Sequence, residues 1–102
     1  MSSQTIEMHF KEIMSLAMHL KELSRELDHL VQEKMMQIVY SIKAGWNSEC
    51  ADVLVGKEVK LAALLIEEAN QLNSLALDME ERAEKMYQQE MANTRLAVTR
   101  IY

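Results

Sequence analysis

The absence of proline from all 102 residues is the feature that most constrains this fold. A proline inside a helix removes a backbone hydrogen-bond donor and clashes with the preceding turn, so a proline-free chain can form long helices. Only two glycines interrupt the chain, and one of them, Gly45, lies near its midpoint. We therefore predict two long helices that are joined by a short turn at residues 44–48.

The predicted turn reads Ala-Gly-Trp-Asn-Ser and holds the only tryptophan of the chain. Gly45 suits the left-handed conformation that often ends a helix, and Asn47 or Ser48 can cap the helix that follows. A serine or threonine among the first five residues can cap the start of helix one. These signals place helix one at about residues 5–43 and helix two at about residues 48–98.

Apolar residues recur at helical spacing along both predicted helices and form stripes wide enough to touch more than one neighbour. In helix two, alanines at positions 62, 69, 76 and 83 recur every seven residues beside a row of large side chains. Small side chains let another helix axis come close, so we place the seam with helix one or with a partner along this row. The large residues predicted to bind a partner are Leu16, Leu20, Leu23 and Leu27 in helix one, and Leu54, Leu61, Leu65, Leu72, Met79 and Met86 in helix two.

The width of these stripes predicts oligomerisation. Two helices side by side form one layer, and one layer cannot bury broad apolar stripes on both of them. Each leucine or methionine that is buried contributes about 1.5–3 kcal/mol, a large share of the net stability of a small domain. We therefore predict that this single helical-hairpin domain, residues 1–102, pairs with another hairpin into a four-helix bundle.

Composition narrows the function classes. A net charge of −5 and a pI of about 5.2 argue against binding to nucleic acids or anionic membranes, which need clustered lysine and arginine. The first residues lack the basic and apolar segments of a classical signal peptide, and no apolar run approaches the ~20 residues of a membrane span. If the protein is exported, its route does not read such a signal. The single cysteine, Cys50, excludes a disulfide within the chain, and we expect it to be a small buried residue.

No pattern for catalysis or metal binding is present. His9, His19 and His29 are ten residues apart, so successive imidazoles point about 80° away from each other on a helix and do not converge on one metal. The chain also lacks a glycine-rich phosphate loop and a strand-turn scaffold for a nucleophile. We expect no enzymatic activity, no bound metal and no cofactor.

A hairpin of this length, with Trp46 followed two positions later by a small residue, resembles the WXG family of small type VII secretion proteins. Ser48 stands here where that family has a glycine. Near the end of the second helix, the family carries a tyrosine followed four residues later by an acid. That position is Met91 in this chain, and Glu90, three residues after Tyr87, is the nearest acid. The segment is similar to the Tyr-x-x-Glu variant of divergent members from Gram-positive bacteria.

The resemblance implies an antiparallel hairpin that is cytoplasmic before export, then secreted or held at the cell surface, without a cleaved signal peptide. Divergent members often bind the helical N-terminal region of a larger secreted toxin. The implied partner is therefore a second copy, another helical-hairpin protein or such a toxin domain, and the implied receptor is the secretion ATPase. If paired hairpins run antiparallel, the turn motif of one chain (Gly45, Trp46 and Ser48) would lie beside the Tyr87–Glu90 element of the other and form a composite export signal.

The alternative is a cytoplasmic structural or adaptor helical bundle with no link to secretion. Broad apolar stripes predict a partner in both cases, so the fold does not discriminate between them. Neighbouring genes for a membrane ATPase or a polymorphic toxin would favour the secretion hypothesis.

Overall fold

The computed structural model describes the backbone of residues 2–46 and 48–101 and the side chains of these residues up to position 98. Helix α1 spans Ser3–Gly45 and helix α2 spans Ser48–Ile101. No strand is present in these two ranges. The predicted all-α helical hairpin is confirmed. Helix α1 extends two residues beyond its predicted bounds at each end, and α2 extends three residues beyond its predicted C-terminal end.

The start of α1 is capped by a serine, as the sequence predicts. The backbone N–H of Thr5 donates to the Ser2 side-chain oxygen at 3.2 Å, and the N–H of Ile6 donates to the Ser2 carbonyl at 3.1 Å. The Ser2 hydroxyl therefore satisfies one of the N–H groups that have no partner within the first turn of a helix, and the Ser2 carbonyl accepts the first hydrogen bond of the helical ladder.

The turn differs from the prediction at Gly45. This glycine is the last residue of α1, and no glycine in the described part of the chain has a positive φ, so the predicted left-handed conformation is wrong. The physical reason is that the Trp46 N–H still donates to the Ile42 carbonyl at 3.0 Å, which continues the helical ladder past Gly45. Ser48 opens α2, with Glu49 in its first turn. Asn47, the other predicted cap, lies outside the described residues.

Gly56 lies inside α2, where glycine costs about 1 kcal/mol relative to alanine. An added Cβ there would meet nothing within 4 Å. A close helix approach therefore does not explain this glycine.

The chain divides into two compact units. Unit 1 comprises Met1–Lys21 and Asn73–Tyr102, and unit 2 comprises Glu22–Leu72. In each unit a segment of α1 packs against a segment of α2 that runs in the opposite direction.

Alanines form most of the buried core in both units. Ala62 and Ala69 in unit 2, and Ala76 and Ala83 in unit 1, are all buried at the seam with α1. In unit 2 the hydroxyl of Ser24 donates to the carbonyl of Ala69 at 2.5 Å, so the helices approach closely. No large side chain among the described residues is fully buried. A core of methyl groups buries little apolar area, so each unit gains little stabilisation from its own seam.

Candidate partner-binding surface

An apolar face borders the alanine seam on one side of unit 2. Leu27 and Leu30 of α1 line the same open groove as Leu61 and Leu65 of α2. Leu23 is exposed one heptad before Leu30 and belongs to the same row of α1. Lys34 and Glu58 also line this groove, so the surface that the leucines present to solvent is mostly, but not entirely, apolar.

Unit 1 has an equivalent face. Ile13 of α1 and Met86 of α2 line one small cavity of about 90 Å³. In α1, Leu16 follows Ile13 by three residues and lies on the same side of the helix. In α2, Met79 and Leu75 precede Met86 by seven and eleven residues, so both lie on the same side of the helix as Met86. We call the apolar surface that borders the alanine seam in each unit the leucine face. Its members are Ile13, Leu16, Leu20, Leu75, Met79 and Met86 in unit 1, and Leu23, Leu27, Leu30, Leu54, Leu61, Leu65 and Leu72 in unit 2.

All ten residues predicted to bind a partner belong to the leucine face. Five of them are exposed and five are half-buried, and none is fully buried by this chain. The exposed residues are Leu16, Leu23, Leu61, Leu65 and Met86, and the half-buried residues are Leu20, Leu27, Leu54, Leu72 and Met79. Their binding role stays a prediction.

The opposite side of unit 1 is more polar. The Lys21 ammonium lies 2.5 Å from the Glu80 carboxylate across the seam, and both side chains are partly shielded from water. Asn73 lies one heptad before Glu80 on the same side of α2. An ion pair and an amide are compatible with a solvated surface, so the leucine face is the side of unit 1 that lacks a cover.

Trp46 lies in the turn with 58% of its surface exposed. It lines a shallow, open concavity together with Glu49, Cys50 and Val53 from the first turns of α2. Cys50 is exposed, so the expectation that it is buried is wrong. The reason is its position: it follows Ser48 by two residues, while the neighbouring Ala51 faces the core.

Because Trp46 is mostly exposed, we expect that Trp46→Ala leaves the fold intact. Surface substitutions of this kind change the free energy of unfolding by about 0.5 kcal/mol or less. Circular dichroism should show unchanged helix content and an unfolding midpoint close to that of the native chain. A large loss of helix would show that Trp46 is a core residue and would remove the support for a signalling role.

Tyr87 and Glu90 differ in their surroundings. The Tyr87 ring stacks on Phe10 of α1, with ring centroids 4.5 Å apart and planes 28° apart. Glu90 is exposed and lines the cavity of about 90 Å³ that Phe10 and Tyr87 also line. The backbone carbonyl of Glu90 accepts a hydrogen bond from the Thr94 hydroxyl at 2.9 Å. The sequence alone does not predict this stack, because the pairing of two rings on different helices depends on the register of those helices.

The described residues contain no group of three or more histidine, cysteine, aspartate or glutamate side chains that is arranged to hold a metal ion. Neither helix, over the range that the structure describes, has a stretch apolar and long enough to span a lipid bilayer. Comparisons of the chain with protein-family models, curated proteins and solved structures found no match.

Proposed function

We propose that this protein is a small type VII secretion protein that binds a similar helical hairpin and helps to present an export signal. The leucine face is the observation that carries the proposal. Its exposed leucines and methionines are arranged in both units as a second layer of helices requires, and pairing would complete a four-helix bundle.

The exposed area supports pairing. The chain exposes 8011 Å², whereas a compact monomer of 11.8 kDa exposes about 5900 Å². The excess of roughly 2000 Å² per chain falls within the range that each partner buries in an obligate complex. A cover over the leucine face would bury part of this excess.

The export role draws on the resemblance to the WXG family and on the exposure of Trp46 and Glu90. Side chains that a receptor reads must be accessible, and both of these are exposed, Trp46 in the turn and Glu90 on α2. In this proposal the bound partner is a similar hairpin or a toxin's N-terminal domain, and the complex is the form that the secretion ATPase receives.

Glu90→Ala should abolish secretion while the complex with the partner stays intact, because the carboxylate is exposed and makes no ion pair with any described residue. Tyr87→Ala is a less specific test, since it also removes the ring that stacks on Phe10. Tyr87→Phe keeps the stack and removes only the hydroxyl, so it is the matched control for packing. Secretion is measured in culture medium, and partner binding by co-purification.

Loss of secretion with partner binding retained in Glu90→Ala and Trp46→Ala would support the proposal. Loss of binding in both variants would show that these residues are part of the interface. Normal secretion of both variants, or retention of the native complex in a cell with an active secretion system, would favour the adaptor alternative.

A further inference from the structure

The groove of unit 2 holds a cation and an anion among its leucines. Lys34 of α1 and Glu58 of α2 both line this groove. Neither side chain makes an ion pair with any residue that the structure describes, and the Lys34 ammonium donates only to the Gln37 amide oxygen, at 3.5 Å. A helix that covers the groove would remove water from both charges, which is costly unless each gains a partner of opposite sign.

Lys34 and Glu58 lie at the same level along unit 2. The hydrogen bond from the Ser24 hydroxyl to the Ala69 carbonyl shows which residues of the two helices are level with each other. Lys34 follows Ser24 by ten residues, and Glu58 precedes Ala69 by eleven. Both therefore lie about 15–17 Å from this hydrogen bond in the direction of the turn. An occupant of the groove must offer, at this one level, an anion to α1 and a cation to α2.

The rim of the groove carries the same two charges in exchanged places. Glu33 on α1 and Lys57 on α2 are exposed, and each follows a leucine of the leucine face by three residues, Leu30 and Leu54 respectively. Lys57 makes no ion pair within the described ranges, and Glu33 contacts the ring of His29 at 3.6 Å, which is charged only when protonated. In each helix an acid and a base are adjacent in the chain, and their order is reversed between the helices.

A second copy of this chain supplies the missing charges when the two turns lie at the same end. The copies are then related by a two-fold axis parallel to the helices, so α1 of each lies on α2 of the other and every residue keeps its level. Lys34 of each copy faces Glu58 of the other, and Glu33 of each copy lies beside Lys57 of the other. Each of these charges then has a partner of opposite sign, so the groove is self-complementary.

Turns at opposite ends give a poorer match, because α1 then lies on α1 and α2 on α2. If the two-fold axis passes at the level of the charged pair, Lys34 faces Lys34 and Glu58 faces Glu58, and like charges across an interface are unfavourable. If the axis moves until Lys34 faces Glu26, Glu58 comes to face Glu68.

We propose that the leucine face of unit 2 binds a second copy of this chain with both turns at the same end. The proposal rests on the proposed function only for the statement that a hairpin covers this face, and it adds the identity and the orientation of that hairpin. Charge pairing of this kind selects the partner and its orientation more than it adds affinity. The exposed Trp46 side chains of both copies then lie at one end of the dimer.

Reversal of the groove charges tests this pairing. Lys34→Glu sets acid against acid at two places in the dimer, and Glu58→Lys sets base against base. We expect each variant to raise the dissociation constant of the dimer by about tenfold or more. An equal mixture of the two variants should dimerise as the native chain does, because the mixed dimer again sets acids against bases at both places. Sedimentation equilibrium measures these dissociation constants, and circular dichroism verifies that the variants are folded.

Arg25→Glu is the control, because it makes the same change of charge as Lys34→Glu on the other side of α1. Arg25 follows the buried Ser24, whereas Leu23 of the leucine face precedes it. This variant should keep the native dissociation constant.

Three results would overturn the proposal. They are a native chain that stays monomeric, single variants that dimerise like the native chain, and a loss of dimer that mixing does not reverse, which would show that the two charges act within one chain. None of these results depends on secretion, and the proposed function would then stand with a different hairpin as the partner.

Discussion

Leu75→Glu should abolish binding of a partner hairpin, whereas Leu77→Glu should leave it nearly unchanged. The two leucines are 50% and 51% exposed, but they lie on opposite sides of Ala76, which is buried against α1. Leu75 belongs to the leucine face, and Leu77 points about 200° away from it around the helix. The two substitutions therefore replace equally exposed leucines of unit 1, and they differ only in the side of the helix on which the leucine lies.

The expected loss for Leu75→Glu is about 100-fold or more in affinity. The substitution removes roughly 1.5–3 kcal/mol of leucine burial at the interface and adds the cost of burying a carboxylate. The change for Leu77→Glu should be less than about twofold, because its side chain remains in water. The measurement is calorimetric titration with a designed helical hairpin that carries an exposed leucine stripe, with circular dichroism to verify that both variants are folded. Equal losses for the two variants would contradict the assignment of the leucine face.

Ala76→Leu should destabilise the hairpin by about 1–3 kcal/mol or more. Ala76 is 0% exposed at a seam where the side chains are mostly methyl groups, so the additional carbons of leucine have no space unless the helices separate. Additional carbons in a close-packed core force the backbone to shift, and here they would push α1 away from α2.

Ala92→Leu is the matched control for this prediction, because Ala92 is exposed on the same helix and in the same unit. Its free energy of unfolding should change by about 0.5 kcal/mol or less. Urea unfolding followed by circular dichroism measures both variants. If Ala76→Leu were neutral or stabilising, the seam would not be close-packed, and the hairpin would depend less on a partner for its stability.

Much of the fold follows from the sequence, for identifiable reasons. A proline-free chain with one central glycine leaves few alternatives to two helices, and the seven-residue alanine spacing marks the seam because only small side chains permit close approach. The leucine face follows from the same periodicity. The sequence does not readily predict that the leucine face lies outside the seam, because large apolar residues normally fill a core. In this chain alanines fill most of the core instead.

The parts that the sequence does not predict depend on register and on local competition. The Phe10–Tyr87 stack and the Lys21–Glu80 ion pair connect residues that are distant along the chain, so they require the exact alignment of two helices. The sequence predicts a left-handed conformation for Gly45, but the hydrogen bond from the Trp46 N–H to the Ile42 carbonyl keeps the helix regular to its end. The leucine spacing predicts the location of a binding surface but not the identity of its occupant.

The alanine seam also leaves the alignment of the helices underdetermined. A slide of one heptad, about 10 Å, would set alanines against α1 as before and would offer Ser24 another alanine carbonyl as acceptor. The same slide would move Lys21 from Glu80 to Asn73 or Tyr87, and Phe10 from Tyr87 to Glu80 or Thr94. The repeated alanines therefore permit more than one register of the two helices. The Lys21–Glu80 ion pair and the Phe10–Tyr87 stack of unit 1 favour the native register. Even with a longer loop in place of the turn, these contacts would hold the native alignment.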